Sequence, residues 1–176
     1  MRSWRWQRDG LLSAVSAGMF LLLIGVIIVA TPGLVDKIVY YFQHFAFVSE
    51  KFLGIDFSLP APEQPANPNN LAVYNATFQF CVSWGIFQII LLALRYFLGS
   101  PVRRKAQTIS DIVFWFGTAY IIQTMLNITS LTHEKWFHFW AILVVVIGLS
   151  LVVRAIYLAI MWPLSHRHMY ASPSAT

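Results

Sequence analysis

Three ionisable residues, Arg95, Asp111 and Arg154, stand inside stretches that are otherwise apolar. A charge placed in hydrocarbon is expensive, so each of them needs a reason to be there. They come from three different stretches and fall at comparable depths towards one side, with Arg154 the deepest, so Asp111 is placed to bridge the two arginines. One chemistry that fits is a gate, an ion-coordinating site or a vestibule that attracts anions. The other is a clasp between helices, with the arginine stems snorkelling towards headgroups. The clasp is the reading favoured by residue type and depth.

Amides form a second set. Gln79 and Gln88 are nine residues apart and face opposite ways on a helix of 3.6 residues per turn, whereas Gln88 and Arg95 are seven apart and share a face. Gln123 and Asn127, four apart, share a face on the next stretch. A polar stripe through Gln88, Gln123 and Asn127 would suit a wet path. It would equally suit interhelical hydrogen bonds that specify packing, each contributing about 0.6 kcal/mol; packing is favoured. His44, His133 and His138, with Glu134 beside them, match no standard metal-ligand spacing. No nucleotide loop, lipase elbow, zinc-protease helix or pair of catalytic carboxylates occurs. The expectation is a chain that is not an enzyme, with no cofactor and no metal. Cys81 is the single cysteine, so no intramolecular disulfide forms and the small membrane disulfide oxidoreductases, which need cysteine pairs, are excluded.

The elements that must position these residues are four apolar runs, about 10–31, 71–98, 107–127 and 136–162. Each has about twenty residues or more, enough at 1.5 Å per residue to cross a hydrocarbon core of about 30 Å. Hydrophobic residues make up 58% of the 176 and charged residues 11%, against about 25% charged in soluble domains. The expected fold is an all-α membrane protein, a four-helix transmembrane bundle forming one domain over residues 1–163, with 164–176 a disordered tail. The first run is too long for a cleaved signal peptide, and Thr31-Pro32-Gly33 is a poor cleavage site.

Charge orients the runs. Arg2, Arg5, Arg8, Arg103, Arg104, Lys105 and Arg167 lie on one side; Lys37, Lys51 and Lys135 lie on the other, among Asp36, Glu50, Asp56, Glu63 and Glu134. Seven basic residues against three place both termini in the cytoplasm. The net charge of +5 is thereby explained by topology, and nucleic acid is not expected as a partner. Trp4, Trp6 and Trp162 suit the inner interface, and Tyr40, Tyr41, Trp136 and Trp140 the outer one.

Pro32-Gly33 interrupts the chain after the first run. Residues 34–48 then carry Val35, Ile38, Val39, Phe42, Phe45 and Ala46 three or four apart, which predicts an outer amphipathic helix lying on lipid or on protein. The connection 49–70, with Pro60, Pro62, Pro65 and Pro68, predicts an extended extramembrane loop stiff enough to act as a cap. Asn75-Ala76-Thr77 and Asn127-Ile128-Thr129 match the glycosylation pattern. Ser13 with Ala17, and Ala14 with Gly18, are small residues four apart, the spacing at which helix backbones approach closely. The contact they predict is first of all within the monomer. Together with Phe42 and Phe45 they are the assembly candidates. The expected function is assembly in the bilayer, as a homo-oligomer or as a small subunit of a membrane complex. The alternative is a small oligomeric channel or transporter built around Arg95, Asp111 and Arg154.

Overall fold

The computed structural model describes residues 2–52, 55–127 and 130–167. Four of its helices contain segments long and apolar enough to cross a membrane, namely Ser13–Ala30, Pro68–Phe97, Val102–Leu126 and His133–Met161, and they pack together as expected of a multi-pass membrane protein. Helix α1 covers Arg2–Ala30, α2 Leu34–Gln43, α3 Pro68–Phe97, α4 Val102–Ile121 and α5 His133–Arg167.

Between α2 and α3 the all-α expectation is corrected. Strands β1 (Phe45–Phe52) and β2 (Ile55–Pro62) pair antiparallel, with Phe45 opposite Pro62 and Phe47 opposite Pro60. The amphipathic helix therefore ends at Gln43, and what reads as a loop from residue 49 is mostly hairpin. Phe45 and Ala46 continue the helical spacing, but Phe45–Val48 is an unbroken apolar run that periodicity alone assigns to neither helix nor strand, and the strand partner decides. Proline is acceptable here because both strands of a two-stranded sheet are edges. The hairpin closes on the bundle where the Glu63 amide donates to the His44 carbonyl at 2.9 Å. Asn67 then caps α3 by accepting from the Asn69 amide at 2.9 Å, with Pro68 in the first turn.

The basic tract Arg103-Arg104-Lys105 lies inside the first turn of α4 instead of in a loop. At its other end α4 passes into a π-helical turn, Ile122–Leu126, closed by the Asn127 amide on the Ile122 carbonyl at 3.0 Å. The last helix continues to Arg167, four residues into the expected disordered tail; 168–176 lie outside the described residues, as do Ile128 and Thr129 of the second glycosylation pattern. Asn75, of the first, is exposed on α3.

The four long helices pack as a row: α1 against α3, α3 against α4, and α4 against α5. Only 6% of the spanning window is buried in α1 and in α5, against 33% in α3 and α4, so the middle pair carries the core. Two close approaches set the row. A Cβ on Gly85 of α3 would stand 3.0 Å from the Phe116 ring of α4, and one on Gly117 of α4 would stand 2.7 Å from Cγ1 of Val146 on α5. In lipid, where apolar burial gives little drive between helices, such backbone proximity is a main source of association. The α1 contact is aromatic: Phe20 meets Phe80 at 5.3 Å and Trp84 at 5.2 Å, edge to face.

Helix α2 packs on α3 through Leu34, Ile38 and Tyr41, while Val35, Val39 and Phe42 are exposed. The apolar residues thus occupy two faces, and Val35, Val39 and Phe42 of the single apolar face read from sequence are turned outward. Phe45 packs on Tyr41 at 5.1 Å.

Gly117→Ala should lower unfolding stability in detergent by about 1–3 kcal/mol through overpacking. Adding Val146→Ala should recover most of that loss, whereas Gly18→Ala, with nothing within 4 Å of its Cβ position, should change the monomer's stability by less than about 0.5 kcal/mol. Thermal unfolding of these three variants beside the unaltered chain checks the prediction.

Candidate functional site

Arg95 stands in the last turn of α3, where a cation is favoured by the exposed carbonyls. Its Nη1 donates to the Arg104 carbonyl at 2.8 Å and to the Thr108 hydroxyl, both on α4. Thr108 is fully buried and itself donates to the Arg104 carbonyl at 3.0 Å. Arg95 therefore ties the end of one helix to the first turns of the next, across the tight bend at Gly99, whose φ of 64° suits glycine.

Asp111 lies in the third turn of α4, half-buried, and interacts electrostatically with Arg95 first and with Arg154 second. Asp111 is thus within electrostatic reach of both arginines. Beside them α4 is joined to α5 by buried hydroxyls. Ser110 donates to the Ser150 carbonyl at 2.8 Å, and Ser150 donates to the Ile147 carbonyl at 2.8 Å. Thr108, Ser110 and Ser150 were not among the sequence candidates. Their signal is only a small hydroxyl in an apolar run, which looks the same whether it bonds its own helix or a neighbour.

At the same end Tyr96 and Tyr157 share a hydroxyl–hydroxyl hydrogen bond of 2.8 Å, and Lys105 Nζ stands 4.3 Å from the Tyr96 ring centre. The basic end of the row is therefore a polar clamp spanning α3, α4 and α5.

The amide stripe does not come together. Gly85 against Phe116 and Arg95 against Thr108 set an antiparallel register that puts Gln88 level with about residue 113 of α4. Gln123 is then roughly 15 Å further along at 1.5 Å per residue. Gln88 is buried, Gln123 is exposed, and the Asn127 amide donates to Gln123 Oε1 at 3.1 Å. These are a buried amide and a local pair, separated by more than two helical turns.

The histidines are also dispersed in their bonding. His44 Nδ1 donates to the Tyr40 carbonyl at 2.9 Å, His133 Nε2 to the Pro62 carbonyl at 3.1 Å, and His138 Nδ1 to the Glu134 carbonyl at 2.8 Å. Among the described residues no three His, Cys, Asp or Glu side chains converge as a metal-ligand group. His133 instead anchors the hairpin to the start of α5.

The assembly candidates separate. Ser13, Ala14, Ala17 and Gly18 are exposed, and among the described residues nothing beyond α1's own adjoining backbone lies within 4 Å of a Cβ on Gly18. The expected contact within the monomer is corrected: the helices meet closely at Gly85 and Gly117 instead. Phe42 is 70% exposed and Phe45 is half-buried on Tyr41.

Comparison of this chain with protein-family models, curated proteins and solved structures returns no match.

Arg154→Ala should lower the unfolding midpoint and leave the ion permeability of proteoliposomes unchanged. A double-mutant cycle with Asp111→Asn should give a coupling of about 0.5–1 kcal/mol. Thermal unfolding and a liposome flux assay on the same preparations provide both readings.

Proposed function

We propose that this chain is a non-enzymatic, multi-pass membrane component that acts by assembling side by side in the bilayer, as a homo-oligomer or as a small subunit of a membrane complex. The observation that carries this is the orientation of α1. Met19 and Leu23 pack towards Trp84, Phe87 and Leu91 of α3. Ala14, Gly18 and Gly25 lie about 100–180° round the helix from them, with open space at both glycines. Small residues on an outward helix face let a second backbone come close, and such a face matches a copy of itself. The row of helices supports the same reading, since it leaves both flanking helices largely uncovered.

The second reading, an oligomeric channel or transporter, keeps its support in Arg95, Asp111 and Arg154. In that case the pathway would run between chains, because the buried and exposed amides of one chain lie about two or three turns apart.

The native mass after mild detergent extraction tests assembly. A single multiple of the 20.1 kDa chain that falls to one chain in Gly18→Ile supports a homo-oligomer, and co-extracted foreign subunits lost in the same variant support a heteromeric complex. A monomer in both proteins overturns the proposal.

The proposed orientation has both termini and the Arg103-Arg104-Lys105 tract cytoplasmic, with the hairpin outside. Ser3→Cys should be shielded from an impermeant maleimide in intact cells and Ser58→Cys should be labelled. The reverse pattern would invert the topology.

A further inference from the structure

At the end of the row opposite the clamp, a cavity of about 260 Å³ opens between α2, α3, the π-turn and α5. Its wall is mainly aromatic and aliphatic, including Tyr41, Tyr74, Trp136 and Phe139, and among the described residues no charged side chain lines it. The rings support one another: Tyr74 meets Trp136 at 5.9 Å and Tyr41 at 5.9 Å, and Trp136 meets Trp140 at 5.7 Å. The π-turn contributes Ile122 and Leu126; such turns occur often at functional sites.

Two of these walls carry an unmet polar group. Tyr74 is 4% exposed and Trp136 is 3% exposed, yet among the described residues neither the Tyr74 hydroxyl nor the Trp136 Nε1 has a well-formed hydrogen bond. The Tyr41 and Tyr74 hydroxyls stand close enough to act on each other as electrostatic and hydrogen-bonding neighbours, though not in the geometry of a well-formed hydrogen bond. A buried polar group without a partner costs about 1–3 kcal/mol, and native structures rarely leave one without a reason. The indole N–H can only donate, so whatever satisfies it must bring an acceptor. Burial holds the Tyr41 hydroxyl above its usual range, so it too stays neutral. An uncharged wall with orphaned donors disfavours an ammonium headgroup, which the ring faces alone would have suited. Val73 and Thr77 set the depth at roughly 8–14 Å below the start of α3 at 1.5 Å per residue.

We propose that this cavity binds an uncharged, membrane-dissolved carbonyl compound, with Tyr74 and Trp136 donating to its oxygen. The carbonyl belongs either to a quinone ring or to the glycerol ester of a bilayer lipid, which offer the same acceptor at this depth.

The full chain reconstituted in diether-lipid nanodiscs, which contain no ester carbonyl, is titrated with a short-chain benzoquinone while tryptophan emission is followed. Its thermal midpoint is then compared between diether and diester lipids of matched headgroup and chain length. A quinone site gives saturable quenching that Tyr74→Phe weakens about tenfold. A lipid-ester site gives a higher midpoint in diester lipid, a difference that Tyr74→Phe removes. In diether lipid without quinone, Tyr74→Phe should hold or raise the midpoint, because it deletes an unmet hydroxyl; a lowered midpoint would mean that the hydroxyl serves the fold and would overturn the donor role. Quenching that rises linearly and equally in both proteins, with no difference between the two lipids, overturns the site itself.

Discussion

Two adjacent residues of α4 hold the row together by opposite means. Phe116 is a large ring set against the bare backbone of Gly85, and Gly117 is the bare backbone that receives Val146. A helix has room for both because neighbours in sequence point about 100° apart. One turn of α4 thus serves as knob for α3 and as hole for α5. Everything nearer the two ends inherits its register from this pair of contacts. Sliding α3 by one turn would carry Arg95 about 5.4 Å away from Thr108 and the Arg104 carbonyl.

From that middle the two ends differ in kind. Towards the basic end the helices are joined by directed bonds: guanidinium to carbonyl and hydroxyl, serine to carbonyl, tyrosine to tyrosine. These specify which atoms meet and tolerate little sliding. Towards the hairpin end they are joined through rings, with Tyr41, Tyr74, Trp136 and Phe139 meeting edge to face, tilted or stacked. Ring contacts contribute through area and polarisability and allow several arrangements of similar energy. Space large enough for a small molecule is therefore found among the rings. The clamp at the other end provides the rigid reference against which that region can adjust.

Much of this was legible in composition and spacing. The four spans follow from apolar runs longer than the bilayer requires, and the charged triad follows from the rarity of Arg95, Asp111 and Arg154 in such runs. Register was not legible, because Gly85 and Gly117 are two glycines among nine and only the partner ring or methyl distinguishes them from Gly18. The hairpin was hidden for a different reason. Residues 45–48 are a short unbroken apolar run that fits helix or strand equally, and the arbiter is the segment 55–62, whose prolines suggest loop when read alone. The π-turn has no sequence signature of its own. Thr124, whose hydroxyl bonds back to the Tyr120 carbonyl at 2.9 Å, is a common residue in straight helices too.

Helix α1 is the element least committed to the rest. It touches the row through α3, along a face of Met19, Phe20 and Leu23. Apolar side chains gain little by leaving lipid for protein, so this face alone holds α1 weakly. The stronger restraint is covalent and local. Gly33, at φ 66°, turns the chain sharply into α2, and Leu34 is buried at once. Lys37 Nζ donates back to the Pro32 carbonyl at 3.1 Å, meeting an acceptor freed by the helix break. The position of α1 is therefore set from its hairpin end, and the restraint weakens along its length towards Gly18 and Ala14. A helix pinned at one end and lightly packed elsewhere presents its small-residue face outward without strain. That combination suits a helix whose remaining contacts are completed by another helix in the same membrane.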